Sequence, residues 1–323
     1  MGKRRIRNLL ALGHTNIVGF DPRDDRRKEV LLKYKIATYV DFDLALRDFD
    51  PDVLVISTPP NLHMHYAQIG FKNRINCFIE ASVVESEKIK ELGFMNENSD
   101  IVIVPSCTMR YAEGPKKIKE LVKSGNIGRI LNINYQTGQY LPDWHPWEKV
   151  EDFYVSHRET GGAREIVSFE LTWLNDIFGT PIPINCYKTN LTGMNSGIDD
   201  IYHFLLLYDH GVLANITIEV ISRPKAVREL SILGSEGRIT FSGETNLVRC
   251  IRAGSADWEN FQLNVGTLET GYINSEEPYI AEMKDFISAV IAKDSGLFPN
   301  SLENDFQVLQ TLYSLEKLSD GEK

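Results

Sequence analysis

The hydrophobic pattern changes character near Tyr111. Before it, short apolar runs alternate with amphipathic stretches. Val53–Ile56 is the clearest run, with no polar alternation, which suits a strand covered on both faces in a parallel sheet. Pro59-Pro60 stops it, Asn61 is placed to cap a helix, and Leu62–Phe71 carries the helix's apolar face. Further strands are predicted at Asn16–Phe20, Ala37–Val40, Ile75–Ile79 and Ile101–Val104. Helices are predicted at Lys3–Leu12, where Ile6, Leu9 and Leu10 share a face, and at Asp24–Tyr34, Phe42–Phe49 and Ser86–Glu97. This alternation predicts βαβ units and a parallel sheet.

After Tyr111 one more helix is expected, Pro115–Ser124, and Arg129–Gly138 then alternates as an antiparallel strand. Gly161–Phe178 reads as a helix. From Ile184 to Ile251 strand follows strand. In Val212–Val220 the alternate residues Val212, Ala214, Ile216, Ile218 and Val220 face one way. Gly234 and Gly237 sit between two strands of a hairpin. Tyr279–Lys293 and Leu302–Leu318 close the chain as amphipathic helices. The fold class is therefore α/β, a Rossmann-type doubly wound parallel sheet over residues 1–115, followed by an α+β domain with a mainly antiparallel sheet over 116–323.

Composition narrows the function. The 323 residues, 42% hydrophobic and 25% charged, are those of a globular protein. A formal charge of −10 argues against nucleic acid and anionic membranes as partners. No apolar run approaches the ~20 residues that span a bilayer, and no signal-peptide core follows the N-terminus. Cys77, Cys107, Cys186 and Cys250 lack CxxC spacing, so buried thiols in a cytoplasmic protein are expected and no metal site.

In a Rossmann half, an acidic residue about 20 positions past the glycine fingerprint binds the adenine ribose. Asp21 fits that role, and Arg23 is placed to lie over the adenine or near a 2′-phosphate; a solvated turn explains both residues as well. Gly2, nineteen positions before Asp21, corresponds to the last fingerprint glycine. The strand before it is missing, which predicts a slot of roughly 10 Å in the sheet, closed or flanked by two free edges. An upstream in-frame segment of roughly 10–20 residues, holding that strand and a glycine turn, is the corresponding expectation. Leu141–Trp147 is a stiff aromatic loop in which Trp144 and His145 suit a sugar ring and its hydroxyls, or cover a domain edge. Arg110, Tyr111 and His203 are placed to reach the cleft.

The order and spacing of several motifs resemble the Gfo/Idh/MocA oxidoreductases, the glucose–fructose oxidoreductase and inositol dehydrogenase family. The carriers are Gly2-Lys3-Arg4, the Asp21 strand end, S-T-P-P-x-x-H-x-x-x-A from Ser57 to Ala67, and Phe78-Ile79-Glu80. Met109-Arg110-Tyr111, Gly125-Asn126-Ile127-Gly128 and Gly161-Gly162 through Ile177-Phe178-Gly179 follow. The resemblance implies NAD or NADP on the first domain, a sugar-like substrate between the domains, and a homodimer or homotetramer built on the C-terminal sheet. It places Ser57, Thr58, Pro59, Asn61 and His63 on the nicotinamide side, with Glu80 and Ala81 near the nicotinamide ribose. His63 by itself reads as a helix-surface histidine.

The chain departs from the family where catalysis is expected. The family's E-K-P triplet is Glu80-Ala81-Ser82, and its helix histidine and aspartate align with Phe169 and Thr172. Oxidising an alcohol needs a group to take the hydroxyl proton. Glu165 and Glu170 are the replacements on the same helix; the competing reading makes Arg164 and Glu165 a solvated ion pair and Phe169 core. Two functions follow: an oxidoreductase for a sugar, sugar derivative or nucleotide sugar with shifted catalytic residues, or a silent relative that binds such a ligand or serves as a structural subunit.

Overall fold

The computed structural model describes residues 1–144, 148–194, 197–270, 272 and 274–321. In the first half, helix and strand alternate as α1 (Gly2–Ala11), β1 (Val18–Phe20), α2 (Asp24–Tyr34), β2 (Ala37–Tyr39), α3 (Phe42–Phe49), β3 (Val53–Ile56), α4 (His63–Lys72), β4 (Asn76–Ile79), α5 (Ser86–Asn96) and β5 (Ile103–Pro105). The second half comprises α6 (Glu113–Lys123), β6 (Ile130–Gly138), α7 (Ala163–Phe178), β7 (Ile182–Thr189), β8 (Ile201–Tyr208), β9 (Val212–Glu219), β10 (Val227–Gly234), β11 (Gly237–Ser242), β12 (Leu247–Arg252), β13 (Glu259–Gln262), α8 (Glu277–Ala292) and α9 (Leu302–Asp320). Asn61 does not cap α4: a 3-10 turn, Pro60–Leu62, leads into it without a side-chain cap.

The parallel layer is split. β1 pairs only with β2, while β3, β4 and β5 form a separate parallel sheet. The facing edges of β1 and β3 carry no strand between them among the described residues, and both strands are half-buried rather than sealed. Phe20, Phe42 and Tyr66 cluster beside them, with Phe42 and Tyr66 ring centroids 4.7 Å apart.

α1 docks with the opposite side to the one its leucines suggest. Arg4, Arg5 and Asn8 are buried, whereas Ile6, Leu9 and Leu10 are half-buried. The reason lies on and beside α8. Glu276 accepts from Arg4 Nε at 3.0 Å, Arg7 Nη2 at 2.9 Å and Asn8 Nδ2 at 3.2 Å, and the Arg4 guanidinium lies 4.0 Å over the Tyr279 ring. Arg5 Nη1 stands 2.9 Å from Glu282 Oε2. Glu282, with no exposed surface, also accepts from Ser106 Oγ, the Cys107 backbone N–H and Thr108 Oγ1. A buried charge is tolerated when paired and hydrogen-bonded, so the polar side of α1 must face in. α8 also packs Phe286 on Phe78 of the parallel sheet, at 5.4 Å between centroids.

The second sheet has eight strands in the order β13-β12-β11-β10-β6-β9-β8-β7. β6 is antiparallel to β10, as expected, but parallel to β9. α7 and α9 cover its inner face, where Ile133, Ala214, Ile216 and Ile218 are sealed. Its outer face is polar along β6, β10 and β11, with Asn134, Gln136, Glu229, Ser231 and Arg238, and becomes apolar only toward the β7 edge, at Ile182, Tyr187, Leu205, Leu207 and Leu213. The apolar part of the outer face is thus a strip.

Glu282→Gln leaves the Arg5 guanidinium one carboxylate short in a buried site, and is expected to cost about 3–5 kcal/mol. Lys225→Ala, at an exposed, solvent-screened pair with Glu244, is expected to leave stability nearly unchanged. Urea unfolding of both variants checks the contrast.

Candidate active site

The C-terminal ends of β3 and β4 converge on one buried polar cluster. Because β3 stops at Ile56 and the chain turns at Pro59-Pro60 into α4, the Thr58 carbonyl comes over the first turn of that helix. His63, buried, holds it by Nε2 at 2.9 Å. A carbonyl only accepts, so Nε2 carries the proton and Nδ1 is the bare nitrogen. Burial lowers the imidazole's pKa and keeps it neutral near pH 7. His63 Nδ1 and Thr58 Oγ1 are both buried with no hydrogen-bond partner.

Glu80, just past β4, receives Arg5 Nε at 2.7 Å and Nη2 at 3.0 Å, and Ser57 Oγ at 3.2 Å. Burial would raise its pKa; the Arg5 charge and hydrogen bonds outweigh that and hold it below the ordinary value. Ala81 brings no charge to this end, and Gly2 begins α1 with its Cα hydrogen side facing Ser57, where an added Cβ would stand 3.8 Å from the serine's. Pro59 and Asn61 are exposed on the turn.

From the other half comes Glu165, in the first turn of α7. Tyr154 Oη donates to its Oε1 at 2.8 Å, while Oε2 is buried and has no partner. Burial pushes the Glu165 carboxyl up to about 7, against the pull of the Tyr154 hydrogen bond. Burial, together with Glu165, drives the Tyr154 phenol well above its usual range, so it is a neutral donor. Tyr154 also feels the Glu80 charge, as His63 does.

The other expected residues lie elsewhere. Glu170 is fully buried under the second sheet and accepts from Tyr135 Oη at 2.6 Å, Trp173 Nε1 at 2.6 Å and Arg228 Nη2 at 2.6 Å. It is a structural carboxylate, because its acceptor capacity is filled inside the core. Arg164 does not pair with Glu165: it is buried, bonds Glu316 on α9 at 2.7 Å, and donates to the Val83 and Glu159 carbonyls. Arg110 donates to the Thr172 carbonyl at 3.1 Å and to Pro299 O, and Tyr111 Oη donates to Asp285 at 2.9 Å, so both fasten elements together instead of opening to a cleft. Thr172 returns its hydroxyl to the Ser168 carbonyl, and Phe169 is half-buried. His203 is exposed on the outer sheet face, where Nδ1 meets Thr217 Oγ1 at 2.9 Å, away from α7. Trp144 packs on the main core, its indole N–H unpartnered among the described residues; His145 lies outside them.

At the end of β1, Asp21 Oδ1 accepts the Arg23 backbone N–H at 2.8 Å and Oδ2 stands 3.9 Å from Arg26. The Arg23 guanidinium is committed to Asp25 at 2.7 Å and Glu148 at 2.6 Å. Among the described residues no group of three or more His, Cys, Asp or Glu side chains converges as metal ligands would. No described helix is long and apolar enough to cross a membrane.

Sequence reasoning missed two residues here. Arg5 sits in a run that reads as solvated charge, and Tyr154 in a stretch with no period. The one available signal for Tyr154 was Gly161-Gly162: a Cβ on Gly161 would stand 2.1 Å from the Val155 carbonyl oxygen, so the segment bearing Tyr154 can lie on the start of α7 only because that residue is glycine.

Residues 116–240 match the family model described as the GFO/IDH/MocA C-terminal domain. Among curated proteins none matches the sequence. Among solved structures, levoglucosan dehydrogenase in complex with NADH superposes with a TM-score of 0.82 at 16% identity, covering 100% of this chain and 95% of that one. An oxidoreductase from Agrobacterium radiobacter, in complex with NAD+, L-tartaric acid and magnesium, gives 0.80 at 14% identity, covering 95% and 90%. A probable dehydrogenase from Thermotoga maritima gives 0.77 at 17% identity, covering 100% and 94%. Residues 116–240 thus belong to the GFO/IDH/MocA C-terminal domain family, and the chain as a whole has the fold of these oxidoreductases.

Proposed function

We propose that the chain is an NAD-linked oxidoreductase for an uncharged polyol or sugar, with Glu165 as the group that takes the hydroxyl proton. The observation that carries this reading is Glu165 itself. It is a buried carboxyl poised near neutrality, with one oxygen held and the other free, facing the strand ends that bind ligands in open α/β sheets.

The residues fit a dinucleotide at both ends. Asp21 keeps acceptor capacity for a ribose diol, and the unpartnered Thr58 Oγ1 and His63 Nδ1 offer a donor and an acceptor to a carboxamide. Between them the N-terminus of α1 lies against Ser57 and presents helix amides to a diphosphate. Arg23 is spent on Asp25 and Glu148, and Arg26 stands between Asp21 and Glu148, so the cations at this end already face carboxylates, which favours NAD over NADP. When bound, the nicotinamide supplies the hydride acceptor. The chain's own part is to hold the alcohol carbon against it, to receive the hydroxyl proton at Glu165 Oε2 as the C–H hydride leaves and the carbonyl forms, and to shut out water.

The cleft also limits the substrate. The arginines nearest the site are committed, Arg5 to Glu80 and Glu282 and Arg164 to Glu316, while Arg110 and Arg228 are spent inside the fold on two carbonyls and on Glu170. These arginines are not free to receive a phosphate or carboxylate, and ionised Glu165 repels one. The apolar strip at the β7 edge supports self-association through the second sheet.

Cofactor binding, turnover, stability against pH and assembly each test this reading. Binding should quench NADH fluorescence, and neutral polyols should turn over while their phosphates and aldonates do not. Quenching without any turnover would leave a silent binder. Glu165→Gln should lower turnover by about 10²-fold or more with NADH affinity unchanged. Its effect on stability has the opposite sign. A carboxyl raised to about 7 in the fold stabilises it below the unfolded pKa, and that contribution is lost as pH rises toward and through 7. The neutral amide escapes this loss, so Glu165→Gln should melt higher than the parent above pH 7. Part of the parent's pH slope should remain, because burial raises Asp305 to about 7 as well. Light scattering at micromolar concentration should give a dimer or tetramer that Leu213→Asp dissociates.

A further inference from the structure

We propose that Tyr154 is the positioning residue of this site: its hydroxyl occupies Oε1 of Glu165, so that Oε2 alone is presented to a ligand hydroxyl. The proposal rests on the reading of Glu165 as proton acceptor and adds the group that aims it.

Three observations carry it. Tyr154 Oη donates to Oε1 at 2.8 Å, whereas Oε2 is buried and unpartnered. A buried carboxylate oxygen with no partner is costly in a finished core, so this one is matched by something outside the described chain. Tyr154 is also fixed by its backbone. Its carbonyl accepts from Thr160 Oγ1 at 2.8 Å, and the next residue's carbonyl accepts the Gly162 N–H at 3.1 Å. Gly161 gives the close approach and Gly162, at φ +64°, the turn into α7. The tyrosine and the first turn of α7 are therefore one rigid unit, and the carboxylate cannot rotate without breaking the bond.

The groups facing Glu165 are few. Tyr154 comes from the 3-10 turn Tyr154–Ser156, and the Met1 amino group from α1. Glu80 lies beyond Tyr154 and is neutralised by Arg5. On α7 itself Arg164 is turned away to Glu316. Tyr154 is thus the only hydrogen bond to the ionised carboxylate among the described residues, and its removal must disfavour ionisation.

Tyr154→Phe keeps the ring and removes the hydroxyl. The test is direct titration of the Glu165 carboxyl by 13C NMR, with Glu165→Gln identifying the signal, so it needs no turnover. The midpoint should move upward by about one pH unit, a tenfold change in the ionisation constant. In an active preparation the acidic limb of the kcat profile should move with it, with KM for NAD unchanged. An unmoved Glu165 midpoint in folded Tyr154→Phe overturns the proposal. A moved midpoint in a protein that turns over nothing upholds it and instead defeats the proposed oxidoreductase activity.

Discussion

The Arg5 guanidinium is the constraint that the first half of the molecule depends on. Taking a charge of that kind out of water costs several kcal/mol, and the cost is met only where carboxylates and hydrogen bonds surround it. Glu80 takes two of its N–H groups, Glu282 stands at the third, and the Phe78 ring lies 4.5 Å below. Those partners come from the end of β4 and from the middle of α8, so one side chain ties α1, the parallel sheet and a helix from the far end of the chain. It also fixes which way α1 faces, and hence that the helix begins beside Ser57. The split sheet is stable in this setting because α1 and α8 are clamped over β3–β5 by charge rather than by a shared strand ladder.

How much of this was legible depended on whether a residue's partner was local. Asp24–Tyr34, Phe42–Phe49 and Val53–Ile56 coincide with their expected bounds, because period, breakers and caps all lie within the segment. α1 was found but read inside out, since hydrophobic periodicity assumes that charges face water, and the carboxylates that reverse this are about 270 positions away. The parallel pairing of β6 with β9 was not legible, because inward alternation is identical for either direction of pairing. β13, with the sequence ENFQ, carries no alternation to find.

The same rule sorted the site. Thr58, His63 and Glu80 follow from strand, turn and helix in sequence, and the structure does bring them together. Glu165 and Glu170 were indistinguishable as carboxyls on one helix. Five residues at 3.6 per turn separate them by about 140° around the axis, so Glu165 meets Tyr154 while Glu170 lies under the second sheet. Which face was which required Arg228 and Tyr135, both remote in sequence. Arg110, Tyr111 and His203 were placed by nearness to the cleft, but a polar residue there is as useful for fastening elements together: Arg110 and Tyr111 bond neighbouring elements, and His203 lies on the outer sheet face beside Thr217.

The resemblance puts Ala81, Phe169 and Thr172 where the family has lysine, histidine and aspartate, which reads first as a loss of chemistry. Proton transfer near neutrality, however, requires a pKa near the working pH rather than a particular side chain. A histidine meets that condition unperturbed, at about 6.5. A glutamate meets it only when burial outweighs whatever favours ionisation. At Glu165 burial prevails: its carboxyl sits near 7 against the pull of the Tyr154 hydrogen bond and the Met1 amino group, and Arg5 and Arg164 are neutralised by Glu80, Glu282 and Glu316. A lysine at position 81 would add a cation to this end of the site and lower the Glu165 pKa. Under the proposed role of Glu165, an alanine at 81 adds no such cation, and desolvation does what a histidine would do by its intrinsic acidity.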